Sequence, residues 1–137
     1  MFISSTKILI VDDLEMMRVI IKKNLSMLGF NNVFEAPDGT VAWEMIIDDY
    51  LNHNPFEIVI SDLNMPNMQG LQLLRKIRAH DGLKKTIFLM VTAETEMNQI
   101  IESAKAGINS YIIKPFTVQT LKEKLQQIYK DRLTMQK

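Results

Sequence analysis

The stretch KILIVDD, residues 7–13, passes from four consecutive aliphatic side chains directly into two carboxylates. An apolar run of this length predicts a strand buried on both faces, because a half-buried strand would alternate apolar and polar residues. Comparable short runs recur downstream, and we predict five strands, at Lys7–Val11, Val33–Ala36, Ile58–Asp62, Ile87–Thr92 and Ser110–Lys114. Aspartates stand at the ends of the first and third of these strands, which directs attention to the strand ends.

Amphipathic stretches separate the predicted strands. We predict helices at about Glu15–Leu28, Thr40–Asn52, Leu71–Ala79, Glu96–Lys105 and Thr117–Leu133. In the first of these, residues spaced by three and four positions form one mainly apolar face, made of Met17, Ile20, Ile21, Asn24, Leu25 and Leu28. Strict alternation of strands and helices predicts an α/β fold, a five-stranded parallel sheet with helices on both faces.

Length and composition predict one domain and exclude several classes of protein. The chain has 137 residues, of which 47% are apolar, so we expect a single domain over residues 1–137 with no output domain. Sixteen basic and sixteen acidic residues leave no basic excess, and we therefore expect no nucleic-acid binding. No signal-peptide pattern or membrane-length apolar run occurs, so we expect a cytoplasmic protein with no membrane association.

Two residue types with special chemistry add little to the functional prediction. Cysteine is absent, which excludes thiolate metal sites and a cysteine nucleophile. The ten methionines are expected to fill the core, as in Met16, Met17, Met27 and Met90. Any reactive site must therefore be built from oxygen and nitrogen side chains.

Polar side chains collect where the predicted strands end. The carboxyl ends of parallel strands share one edge of the sheet, and ligand sites in open α/β sheets form there. Asp12 and Asp13 follow the first strand, and Asp62, Thr92 and Lys114 end the third, fourth and fifth. Clustered carboxylates repel one another until a proton or a hard cation such as Mg²⁺ binds. With an ammonium and a hydroxyl beside them, the set suits phosphoryl transfer, and a carboxylate can itself be the nucleophile.

Each of these residues has a plainer interpretation when it is taken alone. Asp12 and Asp13 could cap a helix and favour its positive end. Asp62 could be a turn residue, Thr92 a strand-end residue, and Lys114 a charge on an edge strand. The functional prediction depends on their convergence at four strand ends rather than on any single residue.

The motifs at these strand ends resemble those of a known family. They are similar, over nearly the whole chain, to the receiver domain of two-component response regulators, through Val11–Asp13 (VDD), Ser61–Pro66 (SDLNMP), Met90–Glu94 (MVTAE) and Lys114–Phe116 (KPF). Shorter stretches resemble the stand-alone chemotaxis regulators in particular: Gly29–Val33, Asn64–Met68 and Ala106–Gly107. The resemblance implies a flavodoxin-like (βα)5 fold with strand order 2-1-3-4-5.

The resemblance also implies the roles of the residues at the acidic edge. Asp62 matches the phospho-acceptor. Asp13, Asp62 and the backbone carbonyl of Asn64 match the direct Mg²⁺ ligands, and Asp12 matches a residue that assists through water. Lys114 matches the lysine that pairs with the acceptor and with the bound phosphoryl group.

The same resemblance implies a switch that reports phosphorylation. Thr92 matches the switch hydroxyl, and Tyr111 matches the aromatic side chain that moves inward with it. The Lys114-Pro115 junction matches a cis peptide bond of the family. Three positions depart from the pattern of the family or of its chemotaxis members, namely Gln69, Glu96 and Met97, and the last two lie where chemotaxis regulators carry basic residues.

The function implied is that of a signalling domain rather than an enzyme acting on an external substrate. We expect a monomer that takes its phosphoryl group from a histidine kinase, of the chemotaxis type, and then binds the flagellar motor switch protein. Two alternatives use the same chemistry. One is a phosphate sink or phosphorelay shuttle, and the other is a Mg²⁺-dependent phosphohydrolase with an aspartyl-phosphate intermediate.

Overall fold

The computed structural model describes residues 2–93 and 97–135. Strands and helices alternate in this order: β1 Ile8–Val11, α1 Glu15–Met27, β2 Val33–Ala36, α2 Gly39–Leu51, β3 Ile58–Asp62, α3 Gly70–Ala79, β4 Ile87–Ala93, α4 Met97–Ala106, β5 Ser110–Lys114 and α5 Val118–Met135. The α/β prediction is confirmed, and element ends differ from the predicted ones by one or two residues. Glu94 and the predicted helix start at Glu96 lie outside the described residues.

All five strands are parallel and follow the order β2-β1-β3-β4-β5, as the resemblance implies. β1 and β3 are neighbours, with Val11 opposite Ser61. The strand order reverses between these two strands, and such reversals open a crevice outside the carboxyl ends of the sheet. Asp12 and Asp62, each one residue further along, therefore lie side by side at that crevice.

The core has two layers, one on each face of the sheet. Along β1, Leu9 and Val11 pack with α2 and α3, whereas Ile8 and Ile10 pack with α1 and α5. Successive strand residues point to opposite faces, so a fully apolar strand needs helices on both sides. The continuous apolar runs in the sequence are the direct cause of this three-layer arrangement.

The outer surface of α1 differs from the predicted apolar face. Ile21 and Leu25 are buried as expected, but Ile20 is 40% exposed. Met16 and Met27 are 70% and 65% exposed, so the expectation that they fill the core is wrong. These three side chains lie about 100° or more around the helix from Ile21, and α1 contacts the sheet through a narrower stripe than its sequence suggests.

α5 lies next to α1 and packs against the same face of the sheet. It buries Leu121, Leu125 and Ile128 and packs an aromatic ring, Tyr129, edge-on against Phe2 with ring centroids 5.1 Å apart. Even this longest of the described helices is amphipathic. None of the helices within residues 2–93 and 97–135 has the length and apolar character needed to cross a membrane.

Candidate functional site

Three carboxylates meet at the crevice between β1 and β3. Asp12, Asp13 and Asp62 each place a carboxylate oxygen within 4.8 Å of the others. Asp12 is fully buried, Asp62 is 8% exposed and Asp13 is open to solvent. The cluster is therefore buried at its base and accessible from one side.

One ammonium group closes the base of this cluster. Lys114, at the end of β5, reaches past β4 to place Nζ 3.4 Å from Asp12 Oδ2 and 3.3 Å from Asp62 Oδ2. The Lys114–Pro115 peptide bond is cis, as the resemblance implies. Among the described residues, the Lys114 ammonium is the one cationic group paired with the three carboxylates, so an excess of negative charge is left there.

The electrostatics of Asp62 follow from this arrangement. Burial raises the pKa of Asp62, the neighbouring Lys114 ammonium opposes that rise, and the Asp12 carboxylate adds to it. A buried carboxylate of this kind is stabilised when it takes up a proton or binds a cation. Clustered carboxylate oxygens with one open side are the donor set that Mg²⁺ prefers, so the residues present fit this ion.

Backbone groups fix the two buried carboxylates in place. Asp12 Oδ1 accepts a hydrogen bond from the Leu14 N–H at 2.9 Å, and Asp62 Oδ1 accepts one from the Leu63 N–H at 2.7 Å. Hydrogen bonds from neighbouring backbone N–H groups restrict the rotation of a carboxylate and stabilise its negative charge. The oxygens of the cluster are therefore oriented before any ligand arrives.

Arg18 is a supporting residue that the sequence analysis did not identify. From the first turns of α1 it donates from one Nη to the Asp12 carbonyl at 2.7 Å and from Nε to Glu35 Oε1 at 3.2 Å. It thereby holds the peptide that joins Asp12 to Asp13, while Glu35 balances its charge. A basic residue five positions after the paired aspartates was the only signal in the sequence.

A second unpredicted contact clamps the loop that follows Asp62. Asp38 caps α2 by accepting from the Val41 N–H at 3.0 Å, and its other oxygen accepts from Asn67 Nδ2 at 2.9 Å. The bond from the Val41 N–H is the main cause that lowers the pKa of Asp38. Asn64, the predicted carbonyl ligand, is exposed at the start of this clamped loop. The Asp38-Gly39 pair before a helix was a readable cap signal.

Gly70 allows α3 to begin directly behind Asp62. Its N–H donates to the Leu63 carbonyl at 2.9 Å, and a Cβ at this position would collide with the Asp62 carbonyl oxygen. Only glycine permits so close a backbone approach. The start of α3 and the end of β3 are thus held as one rigid unit.

Thr92 lies in β4 and Tyr111 in β5, the two strands that follow β3 in the sheet. Thr92 is fully buried, with its hydroxyl 3.4 Å from the Ala93 carbonyl. Tyr111 is opposite Met90 and Thr92 is opposite Ile113, so all four project from the same face of the sheet. Tyr111 is half-buried, and a lysine of α5 lies over its ring with Nζ 4.9 Å from the centroid. The two predicted switch residues are therefore on adjacent strands and on one face.

Comparison with known proteins agrees with this geometry. Residues 8–126 match the family described as the response regulator receiver domain. The chain is 54% identical to the chemotaxis protein CheY-3 of Vibrio cholerae over 90% of this chain and 91% of the relative. It is 52% identical to the chemotaxis protein CheY of Pseudomonas aeruginosa, over 90% of this chain and 95% of that one.

A solved structure of a third relative has the same fold. The chemotaxis response regulator CheY4 of Vibrio cholerae superimposes with a TM-score of 0.77 at 31% identity, and the match covers 90% of this chain and 98% of that one. Family match, sequence identity and three-dimensional similarity all extend over most of the chain. The protein belongs to the response regulator receiver domain family.

Proposed function

We propose that Asp62 accepts a phosphoryl group from the phosphohistidine of a chemotaxis-type histidine kinase. Membership of the receiver family establishes a phosphorylation-accepting signalling role, and the assignment to Asp62 is ours. The observation that carries it is the position of Asp62, held between two further carboxylates and the Lys114 ammonium at the open crevice. Of the three aspartates, only Asp62 is both buried and the last residue of a central strand.

The transfer itself requires little covalent chemistry from the protein. A carboxylate oxygen of Asp62 forms the new O–P bond, the bond from phosphorus to the donor imidazole nitrogen breaks, and that nitrogen keeps the electron pair. Lys114 neutralises charge that develops on the phosphoryl oxygens. Mg²⁺, held by Asp13, Asp62 and the Asn64 carbonyl with Asp12 assisting, would supply the remaining positive charge.

The proposed output is a change at the surface of β5. Thr92 turns toward the phosphoryl group, and Tyr111 moves inward into the space that this opens on the same face of the sheet. The partner binds one of the two arrangements more tightly, which shifts their populations. Support comes from the shared face of the two side chains and from the half-buried state of the tyrosine ring.

Relatives make the flagellar motor switch protein the proposed partner. Two proteins more than 50% identical to this chain are named chemotaxis proteins, and the chain covers over 90% of each. We infer a single-domain, monomeric, cytoplasmic regulator that acts on proteins and not on nucleic acid. Met97 is 46% exposed at the described start of α4, where chemotaxis regulators carry a basic residue, so the partner contacts there differ in charge.

The test is phosphorylation by a small phosphodonor with Mg²⁺, followed by intact-mass measurement. The protein should gain one phosphate, Asp62→Asn should gain none, and Asp48→Asn, an exposed aspartate on α2, should behave as the parent. Equal labelling of the Asp62→Asn protein would refute the assignment. Titration of a motor-switch peptide with and without beryllofluoride then tests the output, and an unchanged affinity would favour the phosphate sink.

A further inference from the structure

A cavity lies at the opposite end of the sheet from Asp62. Its volume is about 380 Å³, and it opens beside Ile87, the first residue of β4, and Ile128 of α5. Both isoleucines are buried and supply an apolar floor. A cavity of this size accommodates a small organic molecule.

One wall is formed by the guanidinium of Arg78, which has no carboxylate partner among the described residues. Arg78 donates to the carbonyls of Gly107 at 2.9 Å, Lys84 at 3.0 Å and Thr86 at 2.6 Å, and to Asn109 Oδ1 at 3.0 Å. None of these acceptors carries a charge, and burial lowers the pKa of Arg78. The positive charge is thus rigidly placed and not neutralised, because an arginine does not deprotonate in proteins.

Three further cations surround the same opening. Lys84, Lys85 and Arg132 line the cavity, and their side chains form no ion pair or hydrogen bond with any residue in the described part of the chain. The single acid among the lining residues, Asp131, accepts a hydrogen bond from Gln127 at 2.9 Å. Four basic residues and one acid therefore line this cavity, although the chain as a whole has no net charge.

A polar donor completes the set of groups at the wall. Asn109 Oδ1 accepts from Arg78 and from the Phe88 N–H at 2.7 Å, so its carbonyl is fully occupied. Its amide N–H groups make no hydrogen bond with the described residues and can donate to a ligand. Cations and amide donors around an apolar floor suit an anion attached to a flat or apolar body.

We propose that this cavity binds a phosphate-bearing small molecule of nucleotide size, at a site separate from the phospho-acceptor crevice. The phosphate lies against Lys84, Lys85 and Arg132, and the apolar part of the ligand covers Ile87 and Ile128. Binding neutralises cationic side chains that form no ion pair with the described residues.

The experiment is an amide NMR titration with ADP, orthophosphate and adenosine in EDTA. EDTA removes Mg²⁺, which would otherwise bring phosphate to the acidic crevice. ADP should saturate below 1 mM and shift the amides of Ile87, Gly107 and Asn109 while leaving Leu63 unchanged; orthophosphate should shift the same amides more weakly. Adenosine lacks the charge and should not bind. No saturation by ADP up to 10 mM, or equal binding of adenosine, would overturn the proposal.

Matched charge variants separate this site from general attraction of anions. Lys85→Gln and Arg132→Gln should each weaken ADP binding by about tenfold, because each removes one of the unpaired cations at the cavity. Lys130→Gln removes an exposed cation of the same helix that does not line the cavity, and it should leave the affinity within twofold. An equal loss in the Lys130 variant, or shifts confined to the acidic crevice, would contradict a defined site.

Discussion

Replacing the proposed phospho-acceptor should stabilise the protein when Mg²⁺ is absent. Asp62 is buried beside two other carboxylates, and burial is the main cause of its raised pKa. A carboxylate with a raised native pKa is less stable in its charged form when folded than when unfolded. Asp62→Asn keeps the oxygen that accepts from Leu63 and removes the charge, so the folded state should gain free energy.

The magnitude follows from the distances at the site. At an effective dielectric constant of about 20, attraction between Asp62 and Lys114 at 3.3 Å is worth about 5 kcal/mol. The other two carboxylates each lie within 4.8 Å, so before screening each repels Asp62 by at least about 3.5 kcal/mol. Solvent screens the exposed Asp13 and reduces its share. With the burial of Asp62 added, we expect a net gain of about 1–2 kcal/mol, or about 3–7 °C in Tm.

The gain in stability of Asp62→Asn depends on pH. Above the raised pKa that Asp62 has in the folded state, its carboxylate is charged in both the folded and the unfolded protein. The charged carboxylate then destabilises the folded parent protein to its full extent. Below its ordinary value of 3.8 it is protonated in both states and the destabilisation is absent. The gain in Asp62→Asn should therefore be present at pH 7 and should vanish as the pH falls below that ordinary value.

Urea unfolding in EDTA at several pH values measures the effect. Asp48→Asn, the same chemical change at an exposed position, is the control and should alter stability by less than about 0.5 kcal/mol. Mg²⁺ at ten times its Kd should stabilise the parent by about 1.4 kcal/mol and the Asp62 variant by less. Destabilisation of Asp62→Asn at pH 7, or a gain that persists unchanged in acid, would refute the reasoning.

Three other substitutions test the groups that support the site. Arg18→Met should weaken Mg²⁺ binding by about tenfold in calorimetry, because it frees the peptide between Asp12 and Asp13. Lys22→Met removes only the second basic partner of Glu35 and should leave Mg²⁺ binding unchanged. Gly70→Ala should cost about 1–3 kcal/mol in urea unfolding and slow phosphorylation, because its Cβ displaces the end of β3. Asp38→Ala should cost about 1 kcal/mol at pH 7. Since the pKa of Asp38 is lowered, that difference should disappear as acid protonates it, and unchanged stability at pH 7 would exclude its capping role.

The fold and the convergence at the sheet edge were accessible from the sequence for a geometric reason. A parallel strand that is buried on both faces has a continuous apolar sequence. The polar residue that follows it must lie at the edge of the sheet where the carboxyl ends of the strands meet. Asp12 and Asp62 needed only this rule and the implied strand order to be placed side by side.

The supporting contacts were not accessible in the same way. Arg18 reaches a carbonyl outside its own helix, and Asp38 meets Asn67 across two loops, so neither pair has a fixed spacing in the sequence. The exposure of Met16 and Ile20 depends on how α1 is rotated against the sheet. Helical periodicity gives the direction of a face, but the width of the buried stripe is set by the packing of neighbouring elements.

The acidic cluster and the cavity, at opposite ends of the sheet, differ in the charge of their residues, although the chain as a whole is neutral. At the carboxyl end, three carboxylates share one ammonium; at the amino end, Arg78 and three further cations line a cavity with a single acid. β4 and β5 run from one site to the other, from Ile87 to Thr92 and from just beyond Asn109 to Lys114. An anion bound at the amino end and a cation bound at the carboxyl end would each relieve a repulsion that the folded chain leaves uncompensated. A ligand of the opposite charge at either site would therefore reduce the local electrostatic repulsion and stabilise the folded state.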